Sequence, residues 1–222
     1  MPDYSPGQSL QSLVAIMGGT FDPIHTGHVR TAIELIEQLG LDALYLVPLN
    51  QAVHREQPQA DPQTRLEMCR LAAEGHPRLH ADECEISRGG ASWMVETLES
   101  FRRRFPESAL CLVLGADAFA KLDSWRRSED INLLAHIIVV DRPGFDPVWP
   151  RCLAGPHSSS AHDLRLQPAG LVCRLTPRQL EIASTDLRER LQKRLSTHLL
   201  LPPSVEGLIL ERGLYQATPK ND

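Results

Sequence analysis

The sequence predicts an α/β fold, a doubly wound parallel sheet with helices on both faces and a small C-terminal helical part, on three observations. Short apolar runs alternate with amphipathic stretches of helix length over about residues 12–144. Several runs, "ALCLVLG" among them, lack the alternate polar positions of a half-exposed strand and so read as strands buried on both faces. The end of the chain reads as two helices.

Taken in order, residues 1–11 form a polar, flexible leader, and "SLVAIM" (12–17) is a buried strand ending at the pair Gly18 and Gly19. Thr26 is placed to cap the next helix. There Val29, Ala32, Ile33, Ile36 and Leu39 recur at spacings of three and four, with Gly40 as the stop. "ALYLVP" is a strand, and "DPQTRLEMCRLAAEG" a helix with Asp61 at its cap and Pro62 at its first position. "LHADECEI" reads as a further strand, "SWMVETLESFRRRF" as a helix and "ALCLVLG" as a strand. Short helices from "DAFAKL" and "SEDINLLA" precede the strand "HIIVVDRPG". Residues 145–163, rich in Pro, Gly and Ser, form a surface excursion rather than a linker. Residues 164–222 carry the helices "STDLRERLQKRL" and "PPSVEGLILERG", so 12–222 is read as one domain.

With 222 residues, 42% of them hydrophobic, the chain can bury one sizeable core. Lys and Arg number 23 against 28 Asp and Glu, and the net charge of -5 provides no basic field for nucleic acid. "FRRRF" then reads as a solvated helix face. The five cysteines are dispersed, odd in number and form no C-x-x-C pair, which favours reduced, buried thiols. The N-terminus lacks a basic segment followed by an apolar one, and no run reaches the ~18 apolar residues of a membrane span. A soluble, cytoplasmic protein with no membrane partner is expected, and a homo-oligomer is compatible with the sequence.

The chemistry concentrates in "GGTFDPIHTGH", the stretch between the first strand and the first helix. Gly18 and Gly19 allow a tight turn and close approach of main-chain N–H groups to a ligand. The helix N-terminus adds unpaired N–H groups and about half a positive charge. His25 and His28, three residues apart, can each donate to a phosphate oxygen. Such a turn can also merely close a strand–helix unit. A metal site is the competing reading, but H-x-x-H supplies two ligands, and Asp22 joins them only if the loop folds back. A dinucleotide-binding dehydrogenase is disfavoured because G-x-G-x-x-G is absent and the second strand ends in "LVPLN", without an acidic ribose ligand.

Far along the chain, "IASTDLRERL" offers Ser184, Thr185 or Asp186 as a helix cap, with Asp186 and Glu189 as a capping-box-like pair. Arg188 then falls in the first turn, at the unfavourable end of the helix dipole, at a cost of ~0.3–1 kcal/mol that a bound polyphosphate would offset.

These residues carry a resemblance. "GGTFDPIHTGH" resembles the G-x-F-D-P-x-H-x-G-H signature of the nucleotidyltransferase superfamily with a (T/H)-x-G-H element, matching at Phe21, Asp22, Pro23, His25, Gly27 and His28. "IASTDLR" is similar to that superfamily's I-S-x-T-x-I-R element, with Ala183 and Leu187 as variations. From about Leu13 to Tyr215, with "VPLNQAVHR", "GASWMVETL", "LGADAFAKLDSW", "DRPGF" and "LQPAG" as landmarks, the chain resembles the bacterial nicotinate mononucleotide adenylyltransferases. Phosphopantetheine adenylyltransferases, shorter and without these landmarks, are the runner-up.

The resemblance implies a Rossmann-like fold and adenylyl transfer from ATP to nicotinate mononucleotide, giving deamido-NAD and pyrophosphate, a step of NAD biosynthesis. It implies catalytic roles for His25, His28 and Arg188, and an ATP site of Gly18, Gly19, Thr20, Phe21, Gly115, Asp117, Ser184 and Thr185. It implies a mononucleotide site of Asn50, His54, Trp93, Met94, Trp125 and Arg142. Ser92, Trp93 and Met94 stand where the family has S-Y-T, so main-chain N–H groups of this turn would meet the nicotinate end. Trp125 would stack on the pyridine ring; Arg142 is either a turn residue or a mononucleotide contact. Mg²⁺ is expected with ATP, held mainly by substrate and water. A nicotinamide mononucleotide acceptor and a non-catalytic nucleotide- or metal-binding module are the alternatives.

Overall fold

The computed structural model describes residues 11–53, 56–141, 148–153, 160–178 and 180–216. His54, Arg142, most of the leader and much of the 145–163 excursion lie outside the described residues.

The elements run β1 (Leu13–Gly19), α1 (Thr26–Leu39), β2 (Ala43–Pro48), α2 (Pro62–Ala73), β3 (Leu79–Ala81), α3 (Cys84–Arg88), α4 (Met94–Arg104) and β4 (Ala109–Gly115). They continue through α5 (Ala116–Phe119), a 3₁₀ turn (Leu122–Ser124), α6 (Ser128–Leu134), β5 (His136–Val140), α7 (Ala161–Leu164), β6 (Val172–Leu175), α8 (Ser184–Gln192) and α9 (Pro203–Glu211). The six strands form one sheet in the order β3-β2-β1-β4-β5-β6. The pairs β1–β4, β2–β3, β4–β5 and β5–β6 are all parallel. This is the doubly wound order, in which winding reverses between β1 and β4 and ligands bind beyond the carboxyl ends of the strands. All of β5, and all of β4 up to Gly115, is buried, as strands covered on both faces require.

By internal contacts the chain falls into two compact units, one of Met1–Ile16, Leu35–Ala43 and Trp93–Pro177, the other of Met17–Glu34, Leu44–Ser92 and Arg178–Asp222. In the first unit, Arg165 ties the chain ahead of β1 to the end of α1, donating to Gln11 O, Asp42 Oδ2 and Gly40 O. The fully buried His136 joins the start of β5 to the chain before β6: its Nε2 lies 3.0 and 2.9 Å from Leu164 O and Gln167 O, and its Nδ1 accepts from Leu171 N at 3.0 Å.

Several local expectations hold. Asp61 caps α2, accepting from Thr64 N at 3.0 Å and from the Thr64 hydroxyl at 2.6 Å, with Pro62 in the first turn. Gly40 ends α1 with φ at +60°. No helix among the described residues is long and apolar enough to cross a membrane.

Others need correction. "LHADECEI" is a three-residue strand followed by α3, because Asp82 Oδ1 accepts from Cys84 N at 3.0 Å and turns the chain into a helix. The edge strand β6 went unread: it has four residues, one of them the exposed Arg174, too short and mixed for a clear pattern. Thr26 is the first residue of α1 rather than its cap; its N–H donates to Leu200 O and its hydroxyl to Leu199 O.

Candidate active site

In the second unit, the loop after β1 turns later than its glycines suggest. Gly18 and Gly19 are the last two residues of β1; the reversal comes at Phe21, with φ at 49°, and at the cis Asp22–Pro23 peptide. Gly19 is needed for space, since a Cβ there would stand 2.7 Å from Cζ of Phe21. That ring is buried and meets His28 edge-on, with centroids 5.2 Å apart and planes at 85°.

His25 and His28 stack, with ring centroids 3.7 Å apart and planes at 25°. The main-chain N–H of each donates to Nδ1 of the other at 3.4 Å. A neutral ring in that arrangement carries its proton on Nε2. Burial lowers the His25 pKa to about 4. Burial, reinforced by His25, lowers that of His28 to about 3. Both rings are therefore neutral at pH 7, each with one N–H donor.

Asp22 anchors the loop. Its carboxylate, 3% exposed, accepts from Gln59 N at 2.8 Å, Ala60 N at 3.1 Å and the Tyr215 hydroxyl at 2.7 Å. Arg65, fully buried on α2, donates to Thr20 O at 2.9 Å and Ala60 O at 3.1 Å, fixing the chain on both sides of the carboxylate. Desolvation lowers the Arg65 pKa, and the negative charge of Asp22 works against that.

Helix α8 docks onto the same loop. The Ser184 hydroxyl donates to Pro23 O at 2.9 Å and Nη1 of Arg188 to Asp22 O at 2.6 Å, with Nη2 of Arg188 at 3.5 Å from Thr185 Oγ1. Ser184, Thr185 and Asp186 are thus not caps. The N-cap is Ala183, without a side-chain capping bond. The unfavourable dipole position of Arg188 is met in part by Asp22, whose Oδ2 lies 3.8 Å away. The loop after β2 is tied down within the same unit by residues 40 and 42 positions later: Asn50 Nδ2 donates to Gly90 O and Asn50 N to Ser92 Oγ, both at 2.8 Å.

The first unit holds Trp93, Met94, Gly115, Asp117 and Trp125. Trp93 is the N-cap of α4 and makes no side-chain capping bond, so the first-turn N–H groups, beginning at Met94, lack that partner. The Arg126 guanidinium lies 5.2 Å from the Trp93 ring centroid and 3.7 Å from Glu96, holding the residue after Trp125 to the start of α4. Gly115 is the N-cap of α5 and Asp117 lies in its first turn. A Cβ on Gly115 would meet no described atom within 4 Å.

The structure therefore docks the start of α8, with Ser184, Thr185 and Arg188, onto the loop after β1 that leads through His25 into α1 and His28. Asp22 as an anchor, and Arg65, Tyr215 and Arg126, were missed by the sequence reading. Arg65 had a signal: it shares a helical stripe with Cys69 and Ala72, an unusual place for a cation. Tyr215 had none. Among the described residues no group of three or more His, Cys, Asp or Glu stands together as a metal site.

A family model described as cytidylyltransferase-like matches residues 16–190. A Methylococcus capsulatus protein named "Probable nicotinate-nucleotide adenylyltransferase" is 41% identical over 208 residues, covering 91% of this chain and 99% of that protein. A Hahella chejuensis protein of the same name is 43% identical over 227 residues, covering 98% of this chain and 99% of that one. Among solved structures, Plasmodium falciparum nicotinic acid mononucleotide adenylyltransferase complexed with NaAD aligns at a TM-score of 0.70 and 17% identity, over 92% of this chain and 97% of that one, a likeness of fold. Matched by these relatives over nearly its whole length, the chain belongs to the cytidylyltransferase-like family and, within it, to the nicotinate-nucleotide adenylyltransferases.

Proposed function

We propose that this protein transfers the adenylyl group of ATP to the 5'-phosphate of nicotinate mononucleotide. The acceptor phosphate oxygen attacks the α-phosphorus, the bond to the β-phosphate oxygen breaks, and deamido-NAD and pyrophosphate result. The observation that carries this reading is the stacked, neutral His25–His28 pair with both Nδ1 atoms turned to main-chain N–H groups. The acceptor is already an anion at neutral pH, so the reaction needs aligned donors more than a base.

His28 Nε2–H is assigned to the α-phosphate as charge builds there, and His25 to phosphate positioning. Ser184, Thr185 and Arg188 hold the β- and γ-phosphates that leave together, with Gly18, Gly19, Thr20 and Phe21 lining the ATP side and Gly115 and Asp117 the nucleoside. Neutral imidazoles suit this task, because each donates without a proton having to be gained or lost first.

Asn50, the turn at Trp93 and Met94, and Trp125 take the mononucleotide. The uncapped start of α4 supports a place for the nicotinate carboxylate, since helix N-termini attract anions. His54 and Arg142 complete that set by the family resemblance alone. The Asp22 carboxylate is already engaged by three N–H and O–H donors, so a Mg²⁺ accompanying ATP would be held by phosphate oxygens and water rather than by this side chain. When bound, it neutralises part of the phosphate charge.

The test is pyrophosphate release by the purified protein with Mg-ATP and, separately, nicotinate mononucleotide, nicotinamide mononucleotide and phosphopantetheine. The expected result is release with nicotinate mononucleotide far above the other two. Release with none, or a preference for phosphopantetheine, overturns the proposal.

A further inference from the structure

The Tyr215 hydroxyl reaches Asp22 from beyond the segment that the family model matches. Asp22 Oδ1 accepts from this hydroxyl at 2.7 Å and from Ala60 N at 3.1 Å, while Oδ2 accepts from Gln59 N at 2.8 Å. A carboxylate buried this deeply needs such donors, because desolvation of an unmatched charge is costly.

Arg188 is the contrast. Its Nη1 gives a hydrogen bond to the main-chain oxygen of Asp22 at 2.6 Å, yet lies 3.8 Å from Oδ2, beyond hydrogen-bond reach of the charged oxygen. Its cationic charge is therefore tied to a neutral acceptor and not closed into a tight ion pair. Arg65, the other cation near Asp22, spans Thr20 O and Ala60 O and is held in place by them.

We infer that Tyr215 is a positioning residue for ATP: by donating to Asp22 it completes that carboxylate's hydrogen bonding and leaves Arg188 available to the outer phosphates. This rests on the reading that Arg188 binds those phosphates. Without the hydroxyl, Oδ1 keeps only Ala60 N, and the adjustable cation able to compensate is Arg188. With the carboxylate short of one donor, Arg188 would close on Oδ2, the oxygen it already approaches at 3.8 Å, to the ~2.8 Å of a charge-assisted pair, and turn donors away from the ligand. Two features support a dedicated role for Tyr215. It adopts φ of 61°, a conformation uncommon for an aromatic residue, and its ring is buried. Burial and the neighbouring Asp22 also keep its hydroxyl protonated, hence always a donor.

The test is steady-state kinetics of Tyr215→Phe, which keeps the ring and removes the donor, with thermal unfolding recorded alongside. The expected result is an ATP KM raised about tenfold, the lower end of what a hydrogen bond to a charged group contributes, with the KM for nicotinate mononucleotide within about twofold of wild type. Tyr215→4-aminophenylalanine, which restores a donor, should return the ATP KM towards wild type. If the Phe variant does not fold, Tyr215→4-methoxyphenylalanine, which fills the site without donating, replaces it. An unchanged ATP KM, an equal rise in both KM values, or no rescue by the amino variant overturns the inference. Calorimetric titration of ATP into wild type and variant separates the two proposals: wild type that binds ATP but releases no pyrophosphate fails the functional reading, while the affinity difference still decides the role of Tyr215.

Discussion

The imidazoles of His25 and His28 lie face to face at 3.7 Å, and the main-chain N–H of each residue donates to the other's Nδ1. The main chain of each residue thus favours one tautomer of the other's ring, with the proton on Nε2, which leaves two Nε2–H donors. Preorganised donors of this kind act without reorganisation at the moment charge develops.

Replacing His28 by Ala should lower kcat by ~10²–10³-fold, the usual cost of one lost transition-state donor. The KM for ATP should change far less, since Ser184 and Arg188 hold the outer phosphates in our assignment. A purified variant with near-normal kcat would remove His28 from that role.

The same pair makes the fold sensitive to acid. The folded pKa values, about 4 for His25 and about 3 for His28, lie below the ordinary 6.5. Between pH 6.5 and 4 the unfolded chain therefore binds more protons than the folded one, and stability falls as pH falls. Above pH 7 the contribution is flat. His25 alone should account for about 2 kcal/mol of loss between pH 7.5 and 5. Urea unfolding at a series of pH values checks this; His25→Asn should flatten the slope, and an unaltered slope would contradict it.

Gly19→Ala should both destabilise and slow the protein. Its Cβ would press at 2.7 Å on the Phe21 ring, which in turn packs on His28. Overpacking of this kind costs about 1–3 kcal/mol. Loss of thermal stability together with reduced kcat is expected; full activity would show that the ring can move without disturbing His28.

Arg65→Lys should behave as a loss rather than a conservative change. The guanidinium spans Thr20 O and Ala60 O with two separate nitrogens, a fork that a single ammonium cannot reproduce in a fully buried site. Leaving a buried carbonyl unmatched costs about 1–3 kcal/mol. Equilibrium unfolding measures it, and wild-type stability would count against the anchoring role.

Legibility in the sequence followed the range of the forces involved. Strands β4 and β5 were readable because each is a continuous apolar run, and α2 because Asp61 and Pro62 mark its start within a few residues. The edge strand β6 and helix α3 were not: one is short and half-exposed, the other depends on a single turn at Asp82. Among site residues, His25 and His28 were visible because their chemistry and spacing are local.

The sequence by itself determined the strand–loop–helix that carries the two histidines and the alternation that makes a parallel sheet, and by resemblance it suggested the pairing of that loop with "STDLR" that we propose. Tertiary structure decided what the residues do for one another. It turned Ser184 from a cap into a donor to Pro23 O, gave Gly19 its reason in the Phe21 ring, and set Asp22 under the hydroxyl of Tyr215, 193 positions away. The physical reason is that hydrophobic period and helix caps act over a few residues, whereas a buried carboxylate takes its donors from whatever chain the fold packs against it.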